Sequence, residues 1–472
     1  MKEVAVLIRF DTEDFLTSES DDAALAIADL LTDLGVRATF PLTAWKVRAL
    51  RDRDRRDVIE AVGRHDVGFH STSHSLHPTI AEELEATPDR DAAAVFERRE
   101  GEGMGEVAAA FGSALSCYTQ PGANWVAEAS TALHRWGIPL HFGEDWNAYV
   151  DVAGRPFYIG GTLHFSGAVA CPKPFLSELP RAADDALAMV GKAVRSARDG
   201  SGDVGLVNVV AHPTELVTEV FWDAVNFGGG INREARDWSP PPVRRAADVK
   251  AAFEAFSGYV RHLKTLPGVT FWGASDLIRA HPDRARDALF DHGDAVGVAT
   301  AFSTGRIGAI AVRGATLSPA EAVVLICRDL EAMAEGRQLA FAHLDEVQPC
   351  YIPEPNDGGT RMEAKPLLAG ALLLAAGGAW PAEVAGVPMT AAAGALANLL
   401  LARLEEGHWP GVLDIPHGEL LTRRWVRSED KLHWDWAIFR PGFRAPRLRE
   451  RALAACWALK PAEPSLCDYR LD

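Results

Sequence analysis

The stretch VAVLIRF (4–10) is apolar at every position but Arg9. Such a run suits a strand buried on both faces, as in a parallel sheet. An amphipathic segment follows, opened by Asp21 and Asp22 and carried by Leu25, Ala28, Leu31 and Leu34, and Gly35 stands where a helix should end. The pattern then alternates. It predicts strands at VRATF (36–40), DVGF (66–69), LSCYT (115–119), IPLHF (138–142), TLHFS (162–166) and GLVNVVA (205–211). Between them it predicts helices reaching Val62 and near 90–111, 126–135, 180–198 and 245–264. GVTFWGASDLI (268–278) closes the series with a strand and a short helix. Sustained strand–helix alternation predicts an α/β fold with a parallel sheet, open or closed into a barrel.

Past Arg286 the composition turns Ala- and Leu-rich, and the pattern becomes mostly helical. Ser318 as N-cap, Pro319 at the first helical position and Glu321 three after the cap form a capping box. Two domains are therefore expected: an α/β domain over 1–283 and a mostly helical domain over 290–472 with no role assigned. Between Pro366 and Ala402 the sole charge is Glu383, but Pro381, Pro388, Thr390 and Asn398 interrupt the apolar run. Each half is at or below the ~20 residues needed to span a bilayer, so a buried helical pair is expected and no membrane partner. The stretch from Trp222 to Arg244 holds Gly228–Gly230 and Pro240–Pro242, and its length predicts a cover over a site.

The 472 residues carry 48 Lys and Arg against 65 Asp and Glu, a net charge of −17. This argues against a nucleic-acid partner, which needs clustered cations. Arg48 to Arg56 is basic but interleaved with Asp52 and Asp54, as on a solvated helix face. The six cysteines form no CxxC pair and read as free thiols in a reducing compartment. The first residues hold no apolar stretch of signal-peptide length. A cytoplasmic protein is expected, and a homo-oligomer is compatible with the sequence.

The candidate chemistry sits at strand ends. The first strand runs into Asp11, Thr12, Glu13 and Asp14; the third runs into FHSTSH, with His70 and His74; the fourth runs into Tyr118, Thr119, Gln120, Pro121 and Gly122; the strand at 205–211 runs into His212. In parallel β/α architectures those ends converge on one face, where sites form. One carboxylate with two histidines is a standard open site for a divalent metal. A second carboxylate and a separate histidine are left for base and acid. A phosphatase-like reading of FDTED lacks a phosphate-cradling glycine loop after the first strand.

Taken in order, these motifs resemble the polysaccharide deacetylase family (NodB-homology, carbohydrate esterase family four) over residues 1 to about 283. DTEDF and HPTEL are similar to the branch carrying D-x-E-D and HP-x-E. The resemblance implies a distorted (β/α) barrel and metal-dependent hydrolysis of an amide C–N bond, by deacetylation of an N-acetylated sugar or another small intracellular N-acyl compound. It implies a divalent metal, zinc the first candidate, held by His70, His74 and Glu13, with Asp14 the alternative carboxylate. It implies Asp11 as catalytic base and His212 as general acid. Pro121, Gly122, Trp125 and Asp145 are assigned to the substrate and oxyanion side. One departure stands out: where the family carries an arginine that orients the base, this chain has Thr119. Arg9, two before Asp11 and on the same side of an extended strand, is the expected substitute, with Lys173 a further basic residue that could reach the site. The same departure motivates the alternative of a catalytically degenerate barrel that binds a carbohydrate or another small molecule.

Overall fold

The computed structural model describes residues 2–122, 125–143, 148–167, 179–344, 361–376, 380–428 and 436–471. These cluster into two compact units. The first holds 1–155, 164–280 and 428–446; the second holds 156–163, 281–427 and 447–472.

The strands are β1 (Val4–Phe10), β2 (Thr39–Leu42), β3 (Asp66–Phe69), β4 (Cys117–Thr119), β5 (Leu140–Phe142), β6 (Phe157–Ile159), β7 (Thr162–Phe165), β8 (Gly205–Ala211) and β9 (Val269–Trp272). In the first unit β5, β4, β3, β2, β1 and β8 lie side by side in that order. Every neighbouring pair among them is parallel, with registers such as Leu42↔Phe69 and Phe10↔Ala211. β9 pairs with the first half of β1, from Val4↔Val269 to Leu7↔Trp272, whereas β2 pairs with its far end at Arg9↔Thr39. The sheet is curled and flanked by helices, a distorted (β/α) barrel. All seven residues of β1 are buried, as its continuous apolar pattern requires.

The helices that support this sheet are α1 (Glu19–Asp33), α2 (Ala44–Asp52), α3 (Arg56–Val62), α4 (Ile80–Ala86), α5 (Asp89–Phe111), α6 (Glu128–Trp136), α7 (Leu179–Asp199), α8 (Ala224–Phe227), α9 (Ala246–Thr265) and α10 (Ala274–Ala280). Helix α1 starts with Glu19, Asp21 and Asp22, whose charge suits the positive end of its dipole. Gly35 follows it at φ +63°, a conformation that glycine adopts without steric cost.

The second strand differs from its expected place. VRATF predicts 36–40, but β2 is Thr39–Leu42. Pro41 reads as a stop, yet it lacks only an N–H, and its carbonyl still accepts from Thr12 N at 2.8 Å. The stretch after Trp222, expected as a cover, has structure of its own. It contains α8, Asn226 and Ser239 exchange two hydrogen bonds, and Trp238 packs on Phe15 and Trp45.

The second unit has its own core. Helices α11 (Arg284–Asp287), α12 (His292–Phe302), α13 (Pro319–Ala334), α14 (Ala364–Ala375) and α15 (Met389–Glu406) supply most of it, and α16 (Pro446–Ala455) follows later in the chain. The Ser318–Glu321 capping box at the start of α13 is formed. Among the described residues no helix is long and apolar enough to cross a membrane. β6 pairs antiparallel with Leu459–Pro461 in this unit.

Candidate metal centre

The parallel ladder carries the polar residues to one end of the sheet. Asp11 N donates to Ala211 O (3.1 Å), Thr12 N to Pro41 O (2.8 Å) and His70 N to Leu42 O (2.9 Å). Glu13, His70 and His74 therefore meet, although 57 residues separate the first two. Glu13 Oε2 lies 2.7 Å from His70 Nε2 and 2.8 Å from His74 Nε2. All three side chains are buried. The backbone of the HSTSH segment is contorted to achieve this: Ser71 has φ +71° and His74 φ +57°. Left-handed non-glycine residues are uncommon and cluster at functional sites.

The outer nitrogens of both imidazoles are also occupied. His70 Nδ1 faces the Thr119 carbonyl at 3.1 Å and the Thr119 hydroxyl closer still. A carbonyl only accepts, so Nδ1 is the donor there and Nε2 is the nitrogen turned towards Glu13. His74 Nδ1 faces Ser75 Oγ, and Ser75 donates its own proton to Asp223 Oδ2 at 2.9 Å. Ser75 Oγ must then accept from His74 Nδ1, which again leaves Nε2 as the nitrogen facing Glu13. Trp222 Nε1 donates to Glu13 Oε1 at 2.9 Å and fixes the carboxylate. Two imidazole Nε2 atoms and one carboxylate oxygen, all within 4.8 Å of one another and each held from behind, fit a divalent metal. They are the one such group among the described residues.

The electrostatics follow from the burial. Burial works to raise the Glu13 carboxyl, but the charges of His74 and His212 and the two histidine hydrogen bonds outweigh it and hold it well below the usual range. Burial opposes a proton on His74, and Glu13 overcomes it, so His74 is shifted up. Burial pushes Asp223 up to about 6 against the pull of His74. His212 is opposed by burial too, yet Glu215, 3.4 Å away, together with Glu13 and Asp11 raises it to about 10. Phe221 packs edge-on against its ring at 5.0 Å.

Asp11 lies with Arg9, whose Nε is 3.0 Å from Oδ1 and whose Nη2 is 3.3 Å from Oδ2. Both are buried, and the guanidinium also sits over the Phe142 ring at 5.5 Å. Arg9 thus occupies the neighbourhood of Asp11, while Thr119 serves His70.

Three assigned residues lie elsewhere or under cover. Asp14 does not join the histidines: Oδ1 accepts from Leu16 N and Thr17 N, each at 3.0 Å, and Oδ2 from Thr214 Oγ1 at 2.8 Å. Its carboxylate shapes the turn into α1. Trp125 is 1% exposed, donates to His164 Nδ1 at 3.3 Å and stacks on His141, so it offers no face to a substrate. Gly122, beside the buried Pro121, has φ +60°, and a Cβ there would come within 2.2 Å of the Trp436 ring. Asp145 and Lys173 lie outside the described residues.

In the sequence Trp436 belongs to an aromatic-rich stretch, where ordinary packing is the commoner role. In the fold its ring stands edge-on to His74 at 5.5 Å, and its Nε1 donates to Asp223 Oδ2 at 3.3 Å. Asp223 and Trp222 carry no sequence signal beyond their place shortly after HPTEL.

No family model matches the sequence, and no curated protein matches it. Solved structures do. The chain is similar in fold to polysaccharide deacetylases. A candidate polysaccharide deacetylase from Mycobacterium smegmatis is 11% identical, covers 59% of this chain and 90% of its own, and gives a TM-score of 0.39. A family 4 carbohydrate esterase from Streptomyces lividans, in complex with acetate, is 14% identical over 57% of this chain and 93% of its own (TM-score 0.30). A family 4 pseudoenzyme from Bacillus anthracis is 11% identical over 58% and 66% (TM-score 0.31). Identities this low assign no residue a role, so the site has to speak through its own geometry.

Proposed function

We propose that the protein is a metal-dependent hydrolase of amide C–N bonds, acting on an N-acetylated sugar or another small N-acyl compound. The observation that carries the reading is the Glu13–His70–His74 set with both Nε2 atoms facing the carboxylate. When bound there, a divalent ion, zinc the first candidate, would polarise the scissile carbonyl and make water a better nucleophile. Asp11, buried against Arg9, takes the proton of the attacking water. His212 is shifted up to about 10, keeps its proton at neutral pH and gives it to the departing nitrogen. The Trp436 ring over Gly122 narrows that side and favours a small compound over a polymer.

The alternative, a barrel that binds without turnover, rested on the missing arginine. Arg9 beside Asp11 weakens that ground. The deciding experiment combines metal content with acetate release from a panel of N-acetylated sugars and small amides. The wild type should bind one zinc per chain and release acetate. Glu13→Gln and His70→Ala should lose the zinc, and Asp11→Asn should keep it while losing turnover. A metal-loaded protein that cleaves nothing in the panel would favour the binding barrel, and a protein that takes up no metal would end the hydrolase reading.

A further inference from the structure

Asp223 reaches the candidate centre without joining it. It is 2% exposed, and its Oδ2 lies 3.8 Å from His74 Nδ1, too far for a direct hydrogen bond. Ser75, itself fully buried, bridges the gap: its hydroxyl donates to Asp223 Oδ2 at 2.9 Å and takes the His74 Nδ1 proton on its oxygen. The same Oδ2 receives Trp436 Nε1 at 3.3 Å. One carboxylate oxygen therefore collects two donors, one from Ser75 just after the HSTSH segment and one from a residue 213 positions further along the chain than Asp223.

The geometry points to Asp223 as a positioning residue that sets the tautomer of His74 through Ser75, with Trp436 fixing the carboxylate in place. The inference rests on the metal reading above. An ionised carboxylate only accepts, so the Ser75 hydroxyl has one direction in which to donate. With that proton committed, Ser75 presents a lone pair to His74 Nδ1, and Nε2 is left free to ligate. If Asp223 became an amide, its NH2 could donate to Ser75, and the hydroxyl would turn its proton towards His74. The imidazole would then carry its proton on Nε2, the ligating atom. His70 needs no such device, because the Thr119 carbonyl is itself an obligate acceptor. Trp436 contributes the second hydrogen bond and an indole wall against His74, so it takes part in the centre although it lies far along the chain from every motif.

Zinc affinity of the full-length chain, measured by competition with a chromophoric chelator, tests this without any substrate. Asp223→Asn and Ser75→Ala should each weaken zinc roughly 10- to 100-fold, the usual cost of losing an outer partner of a histidine ligand. The double variant should cost little more than either single change, since both cut the same relay. Trp436→Phe keeps the ring, removes one donor and should fall between the wild type and Asp223→Asn. A long-range nitrogen–proton spectrum of the zinc-loaded wild type should show His74 protonated at Nδ1. Near-ultraviolet circular dichroism checks that each variant is folded, and if Asp223→Asn is not, Ser75→Ala and Trp436→Phe carry the test. Unchanged affinity in these variants on a zinc-binding wild type would overturn this inference alone. Additive losses would overturn it too, because they would mean general loosening. A wild type that takes up no zinc would remove the hydrolase reading and this one together.

Discussion

His212 holds its proton far into the alkaline range because Glu215, Glu13 and Asp11 surround it. A histidine with a raised value stabilises the fold fully below its ordinary pKa of about 6.5, and that contribution is lost as pH climbs through about 10. The metal-free protein should therefore lose thermal stability between pH 7 and 10, and His212→Gln should flatten that loss. Thermal melts across pH, followed by circular dichroism, check it. The same proton is the one proposed for the leaving nitrogen. His212→Gln should keep its zinc and lose turnover by roughly two to four powers of ten, as for a lost general acid. The alkaline limb of the wild-type rate should fall below 10, since a bound cation lowers the pKa of a neighbouring imidazolium. Loss of zinc in this variant would reassign His212 as a ligand.

The turn between β1 and α1 needs a rigid frame, because Glu13 must meet two histidines within it. Lys46 of α2 supplies one. Its Nζ reaches Asp14 O at 2.6 Å, Ser20 Oγ at 2.7 Å and Asp21 Oδ1 at 2.5 Å, and it is 1% exposed. Burial pulls the ammonium's pKa down against the charges of Asp21 and Asp14. Arg53 takes the other oxygen of Asp21 at 2.8 Å and two backbone carbonyls of the same turn. Lys46→Met leaves a buried carboxylate with one partner and should destabilise the protein by about 3 kcal/mol, the low end for breaking a buried pair. Urea denaturation measures it. The variant should also bind zinc less tightly than the wild type at 25 °C, because the turn that presents Glu13 loosens. A change within 0.5 kcal/mol, the usual range for surface sites, would mean that Arg53 alone holds the turn.

Chain order and compactness disagree in this molecule. Residues 428–446 cluster with the first unit, although 281–427 and 447–472 on either side belong to the second. Ile438 is fully buried in a cluster with Phe15, Trp222 and Phe227. Gly229 N and Gly230 N donate to Ala437 O and Ile438 O at 2.8 and 2.7 Å. A fragment ending at residue 283 would lose all of this and expose Trp222, the partner of Glu13. It should therefore show a lower unfolding midpoint than the first transition of the full chain. It should also bind a hydrophobic dye and hold zinc more weakly. A fragment as stable and as zinc-avid as the whole chain would count against a structural role for 428–446.

The sequence by itself determined the strands β1 and β8, because a buried parallel strand needs an unbroken apolar run and VAVLIRF and GLVNVVA both have one. It determined that polar residues would gather at one end of the sheet, since parallel strands end on the same face. The helices of α5, α6, α7 and α9 lay in its periodicity to within two residues at each end. It left open which acid of the DTED turn would meet the histidines. Alternation along an extended strand favours Glu13 but stops holding once the chain turns, and only the backbone donors of Leu16 and Thr17 draw Asp14 away. Arg9 was legible as a neighbour of Asp11 from the same alternation. Asp223, Trp222 and Trp436 were not, because each reaches the site from a distant part of the chain with no periodic or spacing constraint to mark it. Local pattern fixes which face a residue takes on its own element. Which distant side chain fills the space opposite depends on how the elements pack, and that was decided only by the tertiary structure.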